Sequence, residues 1–202
     1  FAAASAVAVA GAVKGARRQL SEQSAPLAGL TAVFIFAVQM LNFPVAAGTS
    51  GHLIGAALAM VLVGPYAATL ALVVVLIIQA FLFADGGLTA LGLSIFNMAV
   101  ISVWVSFAVF ILMKKIFPKT KSWLVIATFV SALISVPAAA GGFVIQYAIG
   151  ANATFSVGAV LNAMVGTHII IGIGEAIITA LTVSAVLASR SDLVFGWDRK
   201  NT

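Results

Sequence analysis

The chain has 202 residues, of which 63% are hydrophobic and only 7% are Asp, Glu, Lys or Arg, with a net charge of +5. A soluble domain carries roughly 25% charged residues, so this composition excludes a water-soluble globular protein. There is no cysteine, which excludes disulfides, thiolate metal ligands and cysteine nucleophiles. Because the apolar runs are continuous, the sequence predicts an all-α integral membrane bundle in the inner (plasma) membrane.

The first run, residues 1–16, consists mostly of small residues and begins inside an apolar stretch, so we expect a native amino-terminal segment to precede Phe1. Small residues at every fourth position let two membrane helices approach closely. The run therefore predicts a contact stripe for a partner helix, unless it reflects only the abundance of alanine in membrane helices. The stripe consists of Ala4, Ala8, Ala12 and Ala16.

Six more apolar runs follow, which predicts about seven transmembrane helices in a single polytopic domain, residues 1–202. Their ranges are Leu27–Phe43, Leu53–Val63, Tyr66–Ala84, Leu88–Met113, Ser122–Ala140 and Val160–Ala188. The second of these is roughly 18 Å long as a helix, whereas a bilayer core is about 30 Å thick. We therefore expect the turn before it, with His52, to dip into the protein. The mixed stretch 141–158 is predicted as a loop or a broken helix.

The basic residues predict the orientation. If the amino terminus lies outside, nearly all of the basic residues fall on one side of the membrane. By the positive-inside rule this side is cytoplasmic, and the carboxyl terminus lies on it too. The turn at His52, the turn at Asp85 and the stretch 141–158 then lie on the outer side. The cytoplasmic set comprises Arg17, Arg18, Lys114, Lys115, Lys119, Lys121, Arg190, Arg199 and Lys200.

His52 is the main candidate metal ligand, because a neutral imidazole commonly binds nickel, cobalt, zinc or copper. The alternative is a histidine at a helix start, hydrogen-bonded to backbone carbonyls. Thr49 and Ser50 precede it and are interpreted as helix caps or as surroundings of the metal. Asp85, in the sequence ADGG, either caps a turn or attracts cations at the outer mouth.

His168 and Glu175 are seven residues apart on the last predicted helix and share one face. An ionised Glu facing lipid would be costly, so Glu175 is expected to face the bundle. Both residues either hold helices together by hydrogen bonds or line a cation pathway, and Asn97 and Gln79 are similar interhelical candidates. No Walker loop, HExxH or serine–histidine–acid motif is present, so the protein is not expected to be an enzyme.

Three segments resemble a known family: NFPVAAGTSGHLIGAALAMVLVGP, FADGGLTALGLSIFNM and THIIIGIGEAIITALTV. They are similar to the membrane substrate-capture (S) subunit of cobalt and nickel energy-coupling-factor transporters, the CbiM/NikM family. The resemblance implies capture of Co(II) or Ni(II) on the outer side, with cobalt serving cobalamin biosynthesis. It implies no cofactor and no nucleic acid. The implied partners are a coupling transmembrane subunit, two cytoplasmic ATPase subunits and a small accessory membrane subunit.

In that family an amino-terminal Met-His pair supplies the terminal amine, a backbone nitrogen and an imidazole, and the SGHL histidine completes a square-planar nitrogen set. Here the SGHL histidine is His52, whereas the chain begins at Phe1 without the pair. Ser94 stands where the family pattern predicts Asn. The resemblance also favours the alanine stripe as the contact with the coupling subunit.

Two other functions remain open on the sequence. One is a proton-coupled secondary transporter that uses Glu175 and His168, and the other is a membrane scaffold without a substrate. An internal repeat, common in secondary transporters, is not visible in the sequence.

Overall fold

The structure is a computed structural model that describes residues 1–19, 25–40, 42–45, 49–83, 87–150 and 155–197, with the backbone alone for Gln19, 42–45, 49 and 50. The described part is almost entirely helical, with one two-stranded sheet. The helices are α1 (Ala2–Gln19), α2 (Ala25–Gln39), α3 (Ala56–Val63), α4 (Pro65–Leu82), α5 (Leu91–Ile116), α6 (Lys121–Gly150) and α7 (Val157–Ser189). The strands are β1 (Asn42–Val45) and β2 (Thr49–His52).

Within the described residues, α4, α5, α6 and α7 are long and apolar enough to cross a membrane. α2 is apolar but has only 15 residues, and α1 carries Lys14, Arg17 and Arg18 near its carboxyl end. The prediction of a helical membrane protein is therefore confirmed. The seven crossings and their orientation stay predictions.

α3 is a short helix at the centre of the bundle. All eight of its residues are buried, and it contacts α2, α4, α5, α6 and α7. At 1.5 Å per residue it is about 12 Å long, so it does not cross a bilayer by itself. Two glycines with positive φ delimit it: Gly55 (φ 76°) precedes the helix, and Gly64 (φ 82°) separates it from α4. The predicted run Leu53–Val63 is helical only over Ala56–Val63, so a crossing here requires the hairpin before the helix and stays a prediction.

A β-hairpin precedes α3. Its strands are antiparallel, with Asn42 opposite His52 and Val45 opposite Thr49. His52 therefore ends a strand, so the alternative interpretation as a helix-start histidine is wrong in its location, whereas the contact with a backbone carbonyl that it expects is observed. Backbone groups at membrane depth need internal partners, and strand pairing supplies them where Gly and Pro disfavour a helix.

The mixed stretch 141–158, predicted as a loop or a broken helix, is helical up to Gly150, because α6 continues through Pro137. α5 contains a π-helical segment, Ile95–Ile101, that packs on α6. There Asn97 and Gln146 form a reciprocal, buried amide pair, with N–O distances of 2.9 and 2.8 Å. The predicted interhelical role of Asn97 is confirmed.

The chain returns to the end of α3 after α7. The amides of Phe195 and Gly196 donate to the carbonyls of Leu62 and Val61, at 3.1 and 3.0 Å. Lys114 Nζ donates to the Gly196 carbonyl at 2.9 Å. These bonds occupy carbonyls that the helix end would otherwise leave unpaired. We call this end of the molecule the basic end, since it carries Lys14, Arg17, Arg18, Lys114, Lys115, Lys119 and Lys121.

Candidate metal site

His52 is half-buried at the end of β2, and its Nδ1 lies 2.8 Å from the Leu53 carbonyl oxygen. A carbonyl oxygen only accepts hydrogen bonds, so this contact requires the proton on Nδ1. The neutral ring then has its lone pair on Nε2, which is the form that a metal ligand needs. His52 therefore offers one nitrogen donor.

The peptide groups that follow His52 are held from two helices. The Glu175 carboxylate in α7 accepts from the amides of Ile54 (Oε2, 2.6 Å) and Gly55 (Oε1, 3.0 Å). Gln39 at the end of α2 donates through Nε2 to the Ile54 carbonyl at 2.7 Å. Because Glu175 and Gln39 are 2% and 0% exposed, these bonds are shielded from water and fix the strand-to-helix junction.

The junction explains how the fold accommodates Glu175. The carboxylate lies at the amino-terminal end of α3, where the helix dipole and unpaired N–H groups favour a negative charge. The prediction that Glu175 faces the bundle interior is confirmed. Its partners are backbone amides of the junction rather than a side chain of another helix.

His168 lies two turns before Glu175 on α7 and is buried. Its Nδ1 is 2.7 Å from the Met164 carbonyl, so Nε2 is again the nitrogen with the lone pair. This bond lies within α7, so it does not fulfil the predicted interhelical role.

A small cavity of about 30 Å³ adjoins His52. It is lined by His52, Leu76, Gln79, Gly87, Leu91, Ser94 and Met98. The buried Gln79 Nε2 has no hydrogen-bond partner in the described residues, so the predicted interhelical bond is not observed for that atom. Ser94, which stands where the family pattern predicts Asn, forms part of the wall of this cavity. Gln39, which is not predicted from the sequence as a site residue, is marked in the sequence, like Gln79, by being a glutamine inside an apolar helix.

The other site residues predicted from the sequence have different outcomes. Thr49 and Ser50 belong to β2, so their interpretation as helix caps is wrong. Asp85 lies outside the described residues. The alanine stripe is divided: Ala4 is exposed, whereas Ala12 and Ala16 are 2% and 3% exposed. α1 packs on α4 within the same chain, so the partner contact is wrong for those two alanines and stays a prediction for Ala4 and Ala8.

In the part of the chain that the structure describes, no three His, Asp or Glu side chains converge to form a metal site. A metal bound to His52 therefore requires other donors. The role of His52 as a ligand stays a prediction.

The chain is similar to known metal transport proteins. Residues 1–193 match the family described as "Cobalt uptake substrate-specific transmembrane region", CbiM. A putative metal transport protein from Haloquadratum walsbyi is 37% identical over 193 residues, covering 95% of this chain and 85% of that protein. A cobalt transport protein CbiM from Sorangium cellulosum is 32% identical, covering 88% and 80%.

The chain spans 55% of a putative fused nickel transport protein NikMN from Archaeoglobus fulgidus, with 40% identity over 168 residues and 83% of this chain covered. The fold is similar to a crystal structure of a truncated transition metal transporter. That comparison has a TM-score of 0.80 and 31% identity, and covers 93% of this chain and 91% of the other.

Proposed function

Because this chain belongs to the CbiM family of cobalt uptake transmembrane proteins, we propose that it is the substrate-binding subunit of an ATP-driven energy-coupling-factor importer. Its cargo in this proposal is Co(II) or Ni(II), captured on the outer side of the membrane. The observation that carries the proposal is the placement of His52, whose Nε2 is free of the Leu53 contact and whose backbone junction is held by Glu175 and Gln39.

The start of α1 supports this assignment. Ser5 Oγ donates to the Gly92 carbonyl at 2.7 Å, and the ring of Phe1 lies 5.5 Å from that of Phe96. Leu91 and Ser94, on the same helical turns, line the cavity beside His52. A segment that precedes Phe1 would therefore leave α1 close to His52. We propose that such a segment supplies the other nitrogen ligands, as the Met-His pair does in the family.

The proposal includes a single polytopic domain of residues 1–202 with seven crossings, the amino terminus outside and the carboxyl terminus in the cytoplasm. The hairpin then faces outward and the basic end faces the cytoplasm, in agreement with the positive-inside rule. A coupling transmembrane subunit, two ATPase subunits and a small accessory membrane subunit complete the importer. ATP hydrolysis takes place on the ATPase partners.

The test is metal titration of the full-length protein with its native amino terminus, in detergent, by isothermal titration calorimetry. His52→Ala removes one of the four proposed ligands. Because one metal–nitrogen bond is lost, the affinity for Co(II) or Ni(II) is expected to fall at least about 100-fold. Thr182→Val on the exposed face of α7 is the control. Unchanged affinity in His52→Ala would reject the ligand assignment.

Import needs a separate measurement. Proteoliposomes that contain this chain together with its coupling and ATPase subunits are expected to accumulate metal only when ATP is supplied. Uptake by the chain alone, driven by a proton gradient, would instead support the secondary-transporter alternative.

A further inference from the structure

A groove of about 450 Å³ opens at the basic end, away from the His52 site. It is lined by Gly11, Lys14, Gly15, Arg18, Tyr66 and Phe195. Its volume is within the roughly 300–1,000 Å³ typical of ligand sites. No part of the proposed metal capture uses these residues.

Two cations lie along one side of the groove. Lys14 and Arg18 are four residues apart on α1, so their side chains project from the same helix face one turn apart. Both are exposed, and neither forms an ion pair within the described residues. Their charges are therefore available to an anionic ligand.

The rest of the groove is apolar. Tyr66 lies directly over Gly15, where an added Cβ would overlap its ring, and Tyr66 packs edge-to-face on Trp104 with ring centroids 5.2 Å apart. Phe195 is 46% exposed beside them. Tyr and Trp are typical of the membrane–water boundary, where one end of the ring contacts lipid and the other water. The groove thus joins a cationic edge to an apolar floor.

We propose that this groove binds an anionic phospholipid such as phosphatidylglycerol. Lys14 and Arg18 bind the phosphate and headgroup, and an acyl chain lies against Tyr66 and Phe195. A free phosphate ion would use only the cations, whereas a phospholipid uses both parts of the groove. Basic pockets between membrane helices recognise anionic headgroups by this combination of charge and apolar contact.

The test is native mass spectrometry of the purified chain with added phosphatidylglycerol or phosphatidylcholine. Each cation near a membrane surface contributes about 1 kcal/mol to binding an anionic lipid, which is roughly 5-fold in affinity. Lys14→Gln/Arg18→Gln should therefore lose roughly 25-fold in phosphatidylglycerol affinity. The control Arg17→Gln/Lys115→Gln removes the same charge outside the groove and should lose less than about 3-fold.

A second variant tests the groove itself. An added Cβ at Gly11 meets no atom within 4 Å, so Gly11→Leu should fill the groove without disturbing the fold and should weaken lipid binding. Gly29 on α2 is equally open, and Gly29→Leu should leave binding unchanged. Millimolar inorganic phosphate should not displace the lipid.

Several outcomes would overturn the proposal. One is equal binding of the two lipids, and another is an equal loss in the two charge variants, which would indicate diffuse surface attraction. Displacement by inorganic phosphate would indicate a simple anion site. If Lys14→Gln/Arg18→Gln keeps lipid affinity but no longer co-purifies with a coupling subunit, the groove is a protein contact.

Discussion

Glu175 shows how a single buried carboxylate organises a backbone. Its two oxygens accept from the amides of Ile54 and Gly55, and Gln39 Nε2 donates to the carbonyl of Ile54. This occupation argues against Glu175 as a proton carrier, because a proton on one oxygen would leave one of the two buried amides without its acceptor. At the residue scale, its role is to position the loop that presents His52.

Glu175→Gln tests this positioning role. The amide oxygen can accept from one of the two N–H groups, while its NH₂ faces the other donor. We expect a loss of about 2 kcal/mol in stability, since hydrogen bonds to charged groups are worth about 1.5–3 kcal/mol. Thermal unfolding in detergent measures the loss, and calorimetry should show weaker metal binding by the full-length protein.

Thr179→Val serves as the control on the same helix face, because Thr179 is buried but has no bond to the junction in the described residues. If Glu175→Gln retains wild-type stability and metal affinity, the positioning role is incorrect.

At the scale of elements, α5 and α6 are joined by the Asn97–Gln146 pair. Gly142 makes the close approach possible, since an added Cβ there would lie 2.8 Å from Asn97 Oδ1 and 2.5 Å from Ile101 Cδ1. Asn97 lies in the π-helical segment of α5. A polar pair inside a membrane bundle therefore depends on a glycine of the facing helix.

The Asn97–Gln146 bond predicts a measurable coupling. Asn97→Leu and Gln146→Leu should each destabilise the fold by leaving one buried amide unpaired, while the double variant should lose less than their sum. Interhelical hydrogen bonds in membranes couple by about 0.6 kcal/mol on average and about 1.7 at most. A double-mutant cycle, followed by unfolding in mixed detergent micelles, gives this value, and a coupling of zero would contradict the bond.

At the scale of the whole molecule, the buried helix α3 connects two ends. The hairpin with His52 precedes it, and the segment after α7 caps its far end through Phe195 and Gly196. Lys114 holds that segment by its bond to Gly196. The central helix α3 is therefore bonded to other parts of the chain at both of its ends.

Gly196→Val tests the carboxyl-terminal cap. A Cβ at Gly196 would lie 2.7 Å from the buried Phe110 ring, so the segment should detach from α3. Hydrogen exchange at Phe195 and Gly196, followed by mass spectrometry, should rise at least about tenfold as their bonds open. Gly158→Val is the control, because an added Cβ there meets nothing within 4 Å. Equal protection in both variants would contradict a docked cap.

The sequence by itself determined the membrane class, most helical runs, the candidate His52 and the interior position of Glu175. Composition, apolar continuity and the cost of a charge in lipid act locally, so they are readable from residues. The same local patterns placed a helix start at His52 and helix caps at Thr49 and Ser50, and the structure corrects both. They left the stretch 141–158 open as a loop or a broken helix, and the structure shows helix up to Gly150.

Only the tertiary structure determined the β-hairpin, the complete burial of α3 and the hydrogen bonds of Glu175 and Gln39 to Ile54. Glu175 and Ile54 are separated by 121 residues, and a backbone amide has no sequence signature that names its partner. Likewise, Ala12 and Ala16 have the small size of a helix contact, but only the tertiary structure shows that both are buried within this chain, where α1 packs on α4. Long-range contacts select among local alternatives because unpaired polar groups and open space are costly at membrane depth.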